Sequence, residues 1–111
     1  MKTTLAYLIP VGEWETYGPG AKKFALTYKQ FPPAIEHELV VVCCNGPVTA
    51  ALSAFFKDIA NRYEPYYGAG QDCGAAQSFA RNCDADFLVI ANADVHFQRA
   101  GWLRRIVDAR D

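Results

Sequence analysis

Apolar and polar positions along this chain switch repeatedly between a strand-like and a helix-like period. Thr3 to Ile9 is a short, mostly apolar run closed by Pro10 and predicts a first strand. Val11 to Gly20 holds Gly12, Gly18, Gly20, Pro19, Trp14 and Tyr17, and reads as a loop of unusual aromatic content. Such a loop suits either a lid over the core edge or a surface that stacks on a planar ligand. Phe24, Ala25, Tyr28 and Phe31 fall at helical spacing, so a helix is expected over Ala21 to Phe31, stopped by Pro32-Pro33. Glu38 to Cys44 is the most apolar strand candidate, and Asn45-Gly46-Pro47 turns it into a helix expected over Pro47 to Tyr63, with Val48, Leu52, Phe55, Ile59 and Tyr63 on one face. Pro65 to Gly68 predicts a short third strand near an edge, because of its proline. A helix from about Asp72 to Asn82 follows, with Ala76, Phe79, Ala80 and Cys83 inward, then an apolar run Phe87 to Ala91 as a fourth strand. Trp102, Leu103, Ile106 and Val107 mark a last amphipathic helix. Strand and helix alternate four times, which implies an α/β domain around a parallel sheet with right-handed crossovers.

Composition narrows what such a domain can do. With 111 residues the chain forms one domain, 1–111, without repeat or linker. Half of it is hydrophobic (51%) and 14% is aromatic, so a packed core is expected rather than disorder. The net charge of −1 gives no field that would favour nucleic acid or an anionic membrane. No apolar run has the length of a membrane span, and Met1 to Pro10 lacks the cleavage pattern of a signal peptide. Cys43, Cys44, Cys73 and Cys83 show no metal or redox spacing. Reduced thiols and a cytoplasmic location are expected, with Cys43 and Cys44 pointing to opposite faces of their strand.

Candidate chemistry concentrates in Asp86 to His96. Polarity switches at once after Ala91, and Asn92, Asp94 and His96 follow at alternate positions, which along an extended segment share one face. A buried strand with an amide, a carboxylate and an imidazole at its C-terminal tip is how open α/β sheets build ligand sites. Asn92-Ala93-Asp94 is equally the composition of a turn. Gly68 to Gly74 is the other candidate, a glycine-rich loop whose N–H groups could approach a phosphate at a helix start capped by Asp72. It matches neither the phosphate-loop nor the dinucleotide pattern. The fourth strand is too apolar for a bare edge, so either a second copy pairs with it in a homodimer or the chain is the first half of a longer domain.

These features, in this order, resemble the N-terminal, nucleotide-binding half of the family 2 glycosyltransferases with the GT-A fold: a strand ending in Ile9-Pro10, a strand ending at Cys44-Asn45-Gly46, a helix start at Asp72-Cys73-Gly74, and Asp86 to Asp94, with Asn92-Ala93-Asp94 where that family places its Asp-x-Asp motif. The resemblance implies a three-layer αβα sandwich with an open, mostly parallel sheet in the order 3-2-1-4. It implies a nucleoside diphosphate sugar held by Pro10, Val11, Gly12, Cys44, Asn45, Asp72 and Asn92, and a divalent cation, Mn2+ or Mg2+, held by Asp94 with His96 as an added nitrogen ligand. It also implies that the acceptor-binding half, with the catalytic base, lies beyond this chain, so no catalytic residue is assigned. Three positions depart from the family: Asn92 is neutral where an acid is usual, Cys43-Cys44-Asn45 stands where an Asp contacts the base, and Asp72-Cys73-Gly74 replaces Asn-x-Gly. The function expected is sugar transfer from such a donor to an acceptor. The alternative is a non-catalytic nucleotide-binding or dimerising module of the same fold. A receiver-like or flavodoxin-like domain fits less well, since the first strand carries no acidic pair and no phosphate loop follows it.

Overall fold

The computed structural model describes residues 2–68 and 71–109. Four strands, β1 (Thr3–Pro10), β2 (Glu38–Cys44), β3 (Arg62–Tyr66) and β4 (Phe87–Ala91), alternate with four helices, α1 (Trp14–Gln30), α2 (Ala50–Phe56), α3 (Gln71–Asn82) and α4 (Trp102–Asp108). The sheet is wholly parallel in the order β3-β2-β1-β4. Strand β1 sits inside the sheet and is buried along its whole length, as a strand covered on both faces must be.

Alternation along the strands sorts the core into two layers. Leu5, Tyr7, Ile9, Leu39, Val41 and Cys43 face α1 and α2, against Phe24, Leu52 and Phe56. Ala6, Leu8, Val40, Val42 and Cys44 face α3, against Ala75 and Phe79. The architecture is therefore αβα, and Cys43 and Cys44 do lie on opposite faces. Aromatic packing dominates the first layer. Tyr7 stacks on Phe24 at 4.1 Å and on Phe56 at 5.4 Å between centroids. The chain after β4 returns along α1, where Phe97 meets Phe24 edge-on and stacks on Trp102 at 3.7 Å. Its backbone is tied there by Phe97 N–H to Thr27 Oγ1 (3.0 Å), and the Trp102 indole N–H reaches the Phe31 carbonyl (2.7 Å).

Four element boundaries differ from expectation. The stretch 11–20 is not a loop: a single 3-10 turn (Val11–Glu13) runs straight into α1, with Pro19 inside the helix. Its glycines serve close packing rather than a turn. A Cβ on Gly18 would lie 2.9 Å from the Trp14 ring, and one on Gly20 would lie 2.6 Å from the Ala93 carbonyl oxygen. Helix α2 begins later than Pro47, because the Thr49 side chain caps it by accepting from Leu52 N–H (3.1 Å). It also ends sooner: Asn61 bonds both backbone groups of Leu39 and feeds β3, so Tyr63 belongs to a strand and β3 starts at Arg62 rather than Pro65. Strand β4 keeps its expected bounds and lies at an edge, where its side chains are only partly covered.

Candidate functional site

The winding of the sheet reverses between β1 and β4, and the C-terminal tips of strands at such a reversal are where open α/β sheets place their ligands. Registers set the levels. Pro10 pairs with Cys44, and Cys44 with Tyr66, so β1, β2 and β3 end together. Strand β4 stops at Ala91 opposite Tyr7, three residues short of the end of β1, and residues 92–95 follow it.

One lobe brings together Pro10, Val11, Gly12, Cys44 and Asn45. The two turns interlock: a Cβ on Gly46 would meet Val11 at 2.7 Å, and one on Gly12 would meet the Asn45 carbonyl at 3.0 Å. Pro10, Val11 and Cys44 are buried, leaving Gly12 and Asn45 exposed. Asn45 adopts a left-handed conformation (φ 56°), which asparagine tolerates better than most residues. Its backbone N–H reaches the Tyr66 carbonyl (2.7 Å), its side-chain Nδ2–H donates to the Gly68 carbonyl (3.2 Å), and its Oδ1 accepts from Gly68 N–H (3.0 Å). The amide thus extends the β2–β3 pairing by one step, a structural role the sequence did not disclose.

The other lobe is the segment 92–95. It is a turn, closed by Val95 N–H to the Asn92 carbonyl (3.1 Å), so Asn92, Asp94 and His96 do not share the face of an extended segment. Two contacts hold it. The buried Tyr7 hydroxyl donates to the Ala93 carbonyl (2.9 Å), and Gly20 of α1 lies flush against the same oxygen. Asn92 and Asp94 are exposed and His96 half-buried. Burial, with the Asp94 charge adding to it, holds the Tyr7 hydroxyl well above the ordinary tyrosine range, so it stays a donor at neutral pH. Neither Tyr7 nor Gly20 carried a sequence signal for this role. The Asp72 side chain lies outside the described residues.

The donor chemistry of this lobe limits any cation. Among the described residues no group of three or more His, Cys, Asp or Glu side chains is placed to hold a metal ion. Asp94 and His96 offer one carboxylate and one imidazole nitrogen, too few for an all-protein cage and suited only to a divalent ion that brings most of its ligands as phosphate oxygens and water. Cys43 offers no ready nucleophile or ligand: burial first, then the adjacent Cys44, pushes its thiol up to about 11.

Concavities lie elsewhere on the described residues. A groove of about 450 Å³ runs between α1 and α2, lined by Trp14, Glu15, Gly18, Pro19, Lys22 and Phe55. A second, of about 390 Å³, is lined by Lys2, Thr3, Glu36, His37 and Glu38 at the opposite end of the sheet. There His37 is a fastener: Nδ1–H donates to the Ile35 carbonyl (2.8 Å) and Nε2 accepts from the Tyr28 hydroxyl (2.5 Å). The carbonyl can only accept, which fixes the tautomer of a neutral ring. No helix among the described residues is long and apolar enough to cross a membrane. No protein-family model matches the chain, and neither a curated protein nor a solved structure matches it.

Proposed function

We propose that this chain is a glycosyltransferase-like, GT-A-like donor-binding domain that holds a nucleoside diphosphate sugar across the tips of β1 and β4. One observation carries the reading: the strand order reverses between β1 and β4, and an exposed carboxylate, Asp94, sits on a held turn beside that reversal. The base and ribose lie against Pro10, Val11, Gly12 and the exposed flank of the Cys44–Asn45 turn. Asn92 offers its amide to a ribose hydroxyl. Asp94 would hold Mn2+ or Mg2+ at the diphosphate, with His96, two residues on, as a candidate nitrogen ligand. A divalent cation, when bound, neutralises the charge that develops on the departing diphosphate. The protein's own part is to fix the carboxylate: Tyr7 and Gly20 hold the turn, so little order is lost when the ligand arrives. Transfer to an acceptor requires a general base beside the acceptor hydroxyl, and no residue is assigned that role.

A second reading, a non-catalytic nucleotide-binding module, is favoured by the neutral Asn92, which adds no charge for a cation. Calorimetric titration with uridine and guanosine diphosphates, with and without Mn2+, tests the site. Metal-dependent binding that is lost in Asp94→Ala is expected; absence of binding by any nucleotide sinks both readings. Turnover of a uridine or guanosine diphosphate sugar in the presence of candidate acceptors separates the first reading from the second.

A further inference from the structure

The two outer strands of the sheet are finished differently. Strand β3 carries Pro65, and its Arg62 forms ion pairs with Glu64 and Glu38. Charges and proline are the usual protection of an exposed edge. Strand β4 has neither within Phe87-Leu-Val-Ile-Ala, and Ile90 is 38% exposed. Backbone directions follow from the pairing with β1. Phe87 N–H is given to the Lys2 carbonyl, so along a regular strand Phe87, Val89 and Ala91 turn their backbone groups inward, while Leu88 and Ile90 turn theirs outward. Among the described residues no strand pairs with that outer side.

We propose that this edge is the interface between two copies of the chain, with their β4 strands antiparallel about a twofold axis through Val89. In that register Leu88 stands opposite Ile90 of the second copy, and the outward N–H and C=O groups of each meet those of the other at both ends of the pair. Leu88 and Ile90 project on the α3 side of the sheet with Ala6 and Leu8, so the exposed Ile90 is covered by Leu88 of the second copy. Two four-stranded sheets become one continuous sheet.

The charges flanking the strand fit a second copy in this register. One residue beyond each end, Asp86 stands opposite Asn92 of the second copy, and both are exposed. Asp86 already accepts from Lys2 N–H (2.7 Å) and keeps lone pairs to accept from the Asn92 amide. An acid at 92 would instead oppose two carboxylates at each end, an unfavourable cross-strand pair. The neutrality of Asn92, which adds nothing to cation binding, is what self-pairing of this strand requires.

The test uses the full chain without ligand, so it stands apart from the nucleotide reading. Sedimentation velocity over a wide concentration range is expected to give a dimer. Ile90→Lys, at an exposed position, is expected to give a monomer with an unchanged circular dichroism spectrum. Asn92→Asp is expected to weaken the dimer about tenfold near neutral pH through two opposed acid pairs, and adding Asp86→Asn is expected to restore it. A monomer at every concentration overturns the interface, and leaves the edge to some other occupant. A dimer indifferent to either substitution overturns this register.

Discussion

Tyr7 joins the core to the candidate site within one side chain. Its ring lies against Phe24 and Phe56, and its hydroxyl holds the Ala93 carbonyl. Tyr7→Phe keeps the ring and removes the donor, leaving a buried carbonyl unpaired at a cost of about 1–3 kcal/mol in urea unfolding. The same variant is expected to bind a Mn2+–nucleotide more weakly than wild type, because the Asp94 turn loses one of its two holds; unchanged affinity would show that the turn needs no such support. Gly20 supplies the other hold. Glycine to alanine in a helix interior normally gains about 1 kcal/mol. Here the new Cβ would sit 2.6 Å from a backbone oxygen, which cannot move aside cheaply. Gly20→Ala is therefore expected to lose about 1–3 kcal/mol despite its better propensity. Cys43 sets a pH dependence. Its thiol rises from an ordinary 9.0 to about 11 on folding, so between these values the unfolded chain releases the proton and the folded chain keeps it. Stability should fall as pH climbs through that window, by about 2 kcal/mol from this residue. Denaturant titrations at pH 8 and above 10 should show the fall, reduced in Cys43→Ala.

At the scale of elements, the sequence was legible wherever period and local chemistry agreed. Strands β1, β2 and β4 were each a compact apolar run, and the start of α3 at Gln71 lies one residue from expectation. Helix α1 was half read. Trp14, Tyr17, Gly18, Ala21, Phe24, Ala25 and Tyr28 continue one helical stripe, but Gly18, Pro19 and Gly20 masked its first half. Gly20 answers to a neighbour distant in sequence, the Ala93 carbonyl, and local pattern carries no record of such a neighbour. The end of α2 failed for a related reason: Tyr63 falls in helical phase with Ile59, yet Asn61 captures both backbone groups of Leu39 and commits the chain to β3. For the candidate site, the residues at the strand tips were legible as a set, whereas the turn at 92–95 and the hold on it were not. Thr49 is a local feature that period alone passed over. Thr49→Ala removes the cap of a seven-residue helix and is expected to cost about 1 kcal/mol, measured by thermal or urea unfolding. The loss should be recovered in large part by Thr49→Asp, whose carboxylate restores the acceptor and suits the positive end of the helix.

Across the whole molecule, the two faces of the sheet are covered unequally, and the site belongs to one of them. Helices α1 and α2 and the returning chain 95–102 close the first face around Phe24, which touches Tyr7, Phe56, Tyr28 and Phe97. On the second face α3 packs Ala75 and Phe79 over β1 and β2. The turn that carries Asp94 is fastened to the first, through Tyr7 and Gly20. Truncating either aromatic, Phe24→Ala or Phe79→Ala, should lower global stability, by about 3–5 kcal/mol for the fully buried Phe24 and by less for Phe79 at the thinner cover. Their effects on the site should separate. In Phe24→Ala the Tyr7 ring loses its closest partner, so the hold on Ala93 loosens and the Val95 amide, which closes the turn, should exchange with solvent faster than the drop in global stability alone explains. In Phe79→Ala the same amide should follow global unfolding only. Native-state hydrogen exchange on the two variants, each referenced to its own unfolding free energy, decides the matter. Equal behaviour of Val95 in both would mean that the turn is ordered by its own hydrogen bond, and that the core beneath it contributes nothing to holding Asp94 in place.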